Sequence, residues 1–167
     1  KPTFFIANVD EGSLGNLDGN KHYQALKALA ESEGAPIVPV CAALEEQIAA
    51  LDPKDRPEFL EASGLTEPGL HTVIRAGYKL LNLLTFFTAG KQEVRAWTTK
   101  VGAKAPQAAG VIHTDFEKGF IKAEVIWWED FVNLQGESKC RDAGKLGIEG
   151  KEYVMRDGDV VHFRFNV

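Results

Sequence analysis

The sequence predicts an α/β unit followed by an α+β unit of β-grasp layout, and two observations predict it. Near the start, the apolar run Thr3-Phe4-Phe5-Ile6-Ala7, a helical repeat and the run Ile37-Val38-Pro39-Val40-Cys41 follow one another. Strand, helix and strand in that order make a crossover unit of a parallel sheet. From Leu84 onward, short β-rich runs alternate with Gly-containing turns. Their order is a hairpin, a helix, a third strand and a closing pair. The boundary between domains therefore falls between residues 83 and 84, dividing the chain into 1–83 and 84–167.

The first strand ends at Asn8-Val9-Asp10-Glu11 and leads into the turn-rich Gly12-Ser13-Leu14-Gly15-Asn16. A helix is predicted from about Asp18 to Glu33, because Tyr23, Leu26, Leu29 and Ala30 share one face and Gly34 closes it. After the second strand, Ala42-Ala43-Leu44 reads as a loop. Asp52-Pro53 offers an N-cap acid and a proline at the first position of a second helix, ending near Gly64. Thr66-Glu67-Pro68 begins a third, with Leu70, Val73, Ile74, Leu80 and Leu81 at helical spacing. In the second unit, strands are predicted over Leu84 to Thr88, Glu93 to Lys100, Ile121 to Trp127, Glu152 to Arg156 and Val160 to Val167. Helices are predicted near Pro106 to Glu117 and Ser138 to Ala143. Asp157-Gly158-Asp159 would join the closing pair.

Composition limits the function classes. With 167 residues, 44% apolar and 26% charged, the chain has the make-up of a globular protein. A net charge of -5 and a pI near 5.4 argue against non-specific nucleic-acid binding by the whole chain. The acidity is confined to residues 1–83, with seven Lys and Arg against twelve Asp and Glu, whereas residues 84–167 carry twelve of each. An anionic partner should prefer the second half. Cys41 and Cys140 stand far apart, without the spacing of a disulfide framework or zinc site, which fits a reducing cytoplasm. Cys140, between Lys139 and Arg141, is a weak candidate for a reactive thiol. His22, His71, His113 and His162 show no metal-ligand spacing, and His113 with Asp115 reads as capping or packing. The apolar segment Tyr78 to Ala89 is well short of a membrane span, so no membrane partner is expected.

The Asn8-Val9-Asp10-Glu11 element resembles the Asn-Lys-x-Asp element of GTPases, placed at the strand end where open α/β sheets bind ligands. The resemblance implies that Asn8 braces neighbouring loops and that Glu11 faces the base. It also places Ala42-Ala43 where GTPases carry a Ser-Ala-Lys loop whose backbone touches the base. The base-binding candidates are Asn8, Val9, Glu11, Ala42 and Ala43. An aspartate there accepts two N–H groups of guanine in a bidentate pair. The longer Glu11 fits that pair poorly, which implies reduced guanine preference. Taken alone, Asn-x-x-Glu also describes a strand end capped by polar residues. No G-x-x-x-x-G-K-[ST] occurs in the sequence, so no catalytic residue is assigned, and the phosphate-binding half is expected before residue 1.

Alternation in the second unit sorts its strands. Val161, Phe163, Phe165 and Val167 share one face against His162, Arg164 and Asn166. Likewise Val94 and Ala96 oppose Arg95 and Trp97, and Lys122 and Glu124 oppose Ile121, Ala123 and Val125. If the polar sets share one open face, Arg95, Trp97, Lys122, His162 and Arg164 form a cationic, aromatic surface suited to ribosomal or other RNA. The other reading is a solvated face with Trp97 partly covered by a loop.

Several segments resemble the C-terminal part of the YchF family of Obg-related P-loop nucleotidases. They are Leu84-Thr85-Phe86-Phe87-Thr88-Ala89-Gly90, Glu93 to Trp97, Ala105 to Gly110, Ile112 to Glu117, Gly119-Phe120-Ile121 and the ending Asp157 to Val167. The resemblance implies a nucleotide-binding domain with a helical insertion, followed by a ubiquitin-like β-grasp domain of the TGS class. It further implies hydrolysis of ATP in preference to GTP, use of Mg2+, and association with the ribosome or its large subunit. This chain would hold the end of the nucleotide domain and the whole TGS domain. Two alternatives remain: a nucleotide-independent ribosome or RNA adaptor, and a protein-interaction module whose β-grasp edge pairs with another chain.

Overall fold

The computed structural model describes residues 1–90 and 93–166, which divide into two compact units, Lys1–Leu81 and Asn82–Val167. In the first, β1 (Phe5–Asn8) and β2 (Ile37–Val40) run parallel, with Phe5 opposite Ile37 and Asn8 opposite Val40. A four-residue helix α1 (Glu11–Leu14) and a 3-10 turn at Leu17–Gly19 lead into α2 (Lys21–Ser32). Asn20 sets that start: its Oδ1 accepts from the N–H groups of His22 and Tyr23, both at 3.0 Å. On the predicted apolar face Ala30 is fully buried, whereas Leu29 remains exposed.

Two expectations in this unit are corrected. Ala42-Ala43-Leu44 is not a loop but the first turn of α3 (Ala42–Ala50), which buries Leu44 and Ile48; Ala7, Val38 and Cys41 of the strand segments are buried as well. The Asp52-Pro53 helix starts later, as α4 (Arg56–Ala62), because Asp52 spends its carboxylate on the Lys54 N–H at 3.2 Å and its carbonyl on Asp55. That closes a local turn, an alternative that short polar side chains offer to helix. The last helix, α5 (Gly69–Leu80), lacks a cap of its own. Instead Glu45 of α3 accepts from the Gly69 and Leu70 N–H groups at 2.7 and 3.2 Å, tying the two helices together.

The second unit is built on a five-stranded sheet. Its strands are β3 (Leu83–Ala89), β4 (Val94–Lys100), β5 (Phe120–Trp127), β6 (Gly147–Glu149) and β7 (Asp159–Phe165), in the order β4-β3-β7-β5-β6. The first and last strands meet in parallel, at Phe87 and Val160, and every other pairing is antiparallel. Between β4 and β5 lie α6 (Ala105–Ile112) and α7 (Thr114–Lys118), while α8 (Trp128–Asn133) and α9 (Glu137–Asp142) separate β5 from β6. The predicted single helix over Pro106 to Glu117 is thus broken at His113, whose backbone is extended. Its Nδ1 accepts from the Asp115 N–H at 3.2 Å, capping α7. Helix α8 had no counterpart among the predicted elements.

The core lies on one face of the sheet. Leu84, Phe86, Phe120, Ala123, Val125, Val161 and Phe163 meet Ala105, Ala108 and Ala109 of α6, whose small side chains allow close approach. Phe86 and Phe163 pack edge to face at 6.0 Å. Burying Phe86 completely contributes about 1.5–3 kcal/mol. An irregularity between Phe120 and Lys122 replaces Ile121 by Phe120 on the inner face, contrary to simple alternation, and leaves Ile121 exposed. Gly119 is required there, since a Cβ would stand 1.8 Å from the Asn166 carbonyl oxygen. Val167, expected on the apolar face, lies outside the described residues.

The closing hairpin is also corrected. Residues 152–156 do not pair with β7; Val154 bridges Lys104, Met155 enters the core, and β6 supplies the sheet edge. The cause is a buried corner. Asp159, with no exposed surface, accepts from the Tyr153 hydroxyl at 2.8 Å and the Arg156 N–H at 2.9 Å, folding 153–156 back on itself. Asp157 accepts the Thr85 N–H at 2.7 Å, and Gly158 donates to the Thr85 carbonyl at 2.8 Å, aligning β7 beside β3.

Burial and the bond to Asp159 push the Tyr153 hydroxyl up to about 12. The stability it contributes is present below the ordinary tyrosine value of about 10 and lost as pH rises through 12. Tyr153→Phe should flatten that alkaline loss in denaturant titrations and cost about 0.5–1.5 kcal/mol at neutral pH; an unchanged alkaline limb would refute the linkage. Residues 82–167, with their own core, should give a dispersed amide spectrum when expressed alone, whereas 1–81, which leave Ile6, Leu70 and Ile74 about half exposed, should not.

Candidate functional site

The parallel strands β1 and β2 bring Asn8 and the start of α3 to the same sheet end. Asn8 Oδ1 accepts from the Ala42 N–H at 3.1 Å, and the Val9 N–H donates to the Val40 carbonyl at 2.9 Å. Asn8, Val9, Ala42 and Ala43 are thereby fixed around one edge, with Ala42 and Ala43 exposed on a helix N-terminus. The two acids that follow Val9 have separate fates. Asp10 caps α1, its Oδ1 taking the Ser13 N–H at 2.9 Å and its Oδ2 the Ser13 hydroxyl at 2.8 Å. Those bonds, the hydroxyl's first, hold its carboxyl below the ordinary range. Asn20 Nδ2 donates to the Ser13 hydroxyl oxygen at 3.0 Å and anchors this turn to α2.

Glu11 is left with its carboxylate exposed and bonded to no other described residue. Such an acid, three residues after an asparagine that ties the end of β1 to the first turn of α3, can accept hydrogen bonds from a planar ligand at the strand ends. Sequence reasoning missed Asp10 and Asn20, although Asp-x-x-Ser and an Asn before a helical repeat are capping signals.

In the second unit the five surface candidates do not share a face. Trp97 stands opposite Phe86 and packs against the core on the α6 side, its Nε1 donating to the Thr88 hydroxyl at 2.9 Å. Arg95 has the same parity and lies over the Trp97 ring at 4.1 Å. Lys122, His162 and Arg164 project from the other face, in a register that pairs Lys122 with Arg164 and Glu124 with His162. Parity within each strand was right; its alignment between strands was not, because the register of β4 against β3 puts Trp97 with the buried phenylalanines.

Glu124 decides the character of that other face. It accepts from Arg164 at 3.1 Å and lies within 3.4 Å of Lys122 Nζ and 3.7 Å of Arg141 Nη2. Only 6% of its side chain is exposed, because these cations cover it. The Arg164 bond, working against desolvation, holds its carboxyl below the ordinary range. The cations are therefore engaged with an internal acid before any external phosphate. Cys140 is buried with its Sγ against the Asp130 carbonyl, and burial raises its thiol, opposite to an activated cysteine. Among the described residues no cluster of His, Cys, Asp and Glu has the make-up of a metal site, and no helix is long and apolar enough to cross a membrane.

Known proteins resemble the chain along its whole length. The family model described as "YchF-GTPase_C: Protein of unknown function (DUF933)" matches residues 83–166. The chain is similar to a protein of Haemophilus ducreyi named "Ribosome-binding ATPase YchF", 59% identical over the whole chain and 45% of that protein. A Bacillus subtilis protein of the same name is 49% identical, again over the whole chain and 46% of the relative. The chain thus spans a little under half the length of these relatives. Among solved structures, the Schizosaccharomyces pombe YchF GTPase superimposes with a TM-score of 0.83 at 38% identity, over 98% of this chain and 43% of that one. A GTP binding protein from Pyrococcus horikoshii, at 20% identity and a TM-score of 0.64, shares the fold. With half its length matched by the family model and its whole length by named relatives, the chain belongs to the YchF family.

Proposed function

We propose that this chain is the C-terminal part of a ribosome-associated, ATP-preferring P-loop nucleotidase of the cytoplasm. Residues 1–83 supply the base side of the nucleotide site, and residues 84–167 form a β-grasp TGS domain that binds the partner. The observation that carries the nucleotide reading is the Asn8–Ala42 hydrogen bond, together with a Glu11 carboxylate three residues on that no other described residue engages. It supports the division of labour implied by the GTPase resemblance, in which Asn8 braces and Glu11 reads the base. The name these relatives carry supports the ribosome and ATP.

The residues present fit the base and not the phosphates. Glu11 offers an acceptor, Asn8 holds the β1 and α3 ends together, and Ala42 and Ala43 leave space beside the base. Phosphates and magnesium would be held by residues outside this sequence, which lacks a P-loop. The bound nucleotide and its metal supply the phosphoryl chemistry; this chain orients the base and carries the partner-binding domain.

Two measurements test the reading. Purified alone, the chain should turn over neither ATP nor GTP in the presence of magnesium, and turnover above a no-protein control would defeat the assignment. In the full-length parent, Glu11→Asp should move preference toward guanine by about 1–3 kcal/mol, if the shorter acid restores a bidentate pair. The readout is the ratio of ATP and GTP dissociation constants, and an unchanged ratio removes Glu11 from base recognition.

A further inference from the structure

The path from Asn8 to Glu11 is fixed by bonds that leave the Glu11 carboxylate out. The Val9 N–H donates to the Val40 carbonyl at 2.9 Å, so the chain leaves β1 in register with β2. Asp10 then turns it, with an extended backbone at φ -73° and ψ 162°, and Glu11 is the first residue of α1. A helix of four residues is too short to hold itself in water, so its cap must hold it. Ser13 supplies the donors: its N–H reaches the Asp10 carbonyl at 3.1 Å and Oδ1 at 2.9 Å, and its hydroxyl donates to Oδ2 at 2.8 Å. Glu11 and Gly12 are the two residues enclosed by this closure.

Ser13 is itself held from α2. Its hydroxyl oxygen accepts from Asn20 Nδ2 at 3.0 Å, while Asn20 Oδ1 accepts from the His22 and Tyr23 N–H groups at the start of that helix. The hydroxyl thus gives its one proton to Asp10 and takes a bond from Asn20, which fixes its direction. Ser13 and Asn20 are half-buried, whereas Asp10 and Glu11 are exposed. The same hydroxyl is the first cause of the lowered Asp10 carboxyl, so the relay keeps its own acceptor charged.

We propose that Ser13 is a positioning residue for base recognition: clasped between Asp10 and Asn20, it fixes the backbone of Glu11, so that the carboxylate is presented to the base in one orientation. The inference rests on reading Glu11 as the acid that meets the base. A glutamate side chain is long and rotamer-rich, and no described residue holds this one, so its aim depends on the backbone beneath it. Hydrogen bonds to a planar edge tolerate little displacement, and a misplacement of about 1 Å can cost about a hundredfold. Asn8 is secured separately by its bond to Ala42, so the Ser13 relay acts on the reading acid and not on the bracing residue.

The test measures ATP and GTP dissociation constants of the full-length parent and reads their ratio, in which affinity for the phosphates cancels. Ser13→Ala removes the hydroxyl and leaves the N–H bonds to Asp10; it should move the ratio about three- to tenfold toward unity, and Ser13→Thr should return it to within about twofold. Asn20→Asp keeps the acceptor for α2 but loses the donor to Ser13, so it should shift the ratio in the same direction, and it carries the test if Ser13→Ala fails to fold. In a Glu11→Ala background, Ser13→Ala should change the ratio by less than about twofold, because the residue acts through Glu11. A cap that serves stability alone would lower the thermal midpoint and leave the ratio unchanged, and that result overturns the proposal, as does an equal shift with and without Glu11. The two claims fail separately. If Glu11→Ala itself leaves the ratio as it was, Glu11 does not read the base and both fall; if Glu11→Ala moves it and neither Ser13→Ala nor Asn20→Asp does, the positioning role alone is refuted.

Discussion

The buried carboxylate of Asp159 governs the second unit. By taking the Tyr153 hydroxyl and the Arg156 N–H, it bends the chain before β7 and prevents 152–156 from pairing with it. Asp157 and Gly158 then attach the strand to Thr85, so β7 lies between β3 and β5. The parallel contact of the first and last strands follows, and with it the meeting of Phe86 and Phe163 over α6. A buried charge is tolerable only when its partners are in place. Here they lie within six residues of it, so a local motif secures a long-range pairing.

Competition for hydrogen bonds shapes the end of β1 in the same way. Three polar residues follow one another at the end of β1 with only a valine between them, and the fold uses two of them internally. Asn8 goes to Ala42 and Asp10 to Ser13. Glu11, the first residue of α1, has no such claim on it and remains available. The acid with the most internal bonds is thus the least suited to a ligand, although the two are neighbours in sequence.

Charges on the second unit follow a similar logic. Residues that look like a basic stripe in the sequence are divided by the sheet, Arg95 going to the helix side with Trp97 and Lys122 and Arg164 going to Glu124. An internal acid that gathers three cations removes much of their use for an external anion.

The sequence by itself determined the elements with strong local causes. The two parallel strands, the apolar alternation of β7, the change of character near residue 84 and the family motifs were all legible, because they depend on periodicity or on residues adjacent in the chain. Asn8 and Glu11 were legible as a spacing. Only the tertiary structure decided which acid is free, since that depends on Ser13 and Ala42 arriving nearby. Strand register likewise lay beyond the sequence: a period of two fixes the faces of each strand but not which faces coincide. The irregularity at Phe120–Lys122 and the register of β4 against β3 reassigned Ile121, Arg95 and Trp97. The closing hairpin failed for the same reason, because a turn signal at Asp157-Gly158-Asp159 says nothing of the buried partners that send the strand elsewhere.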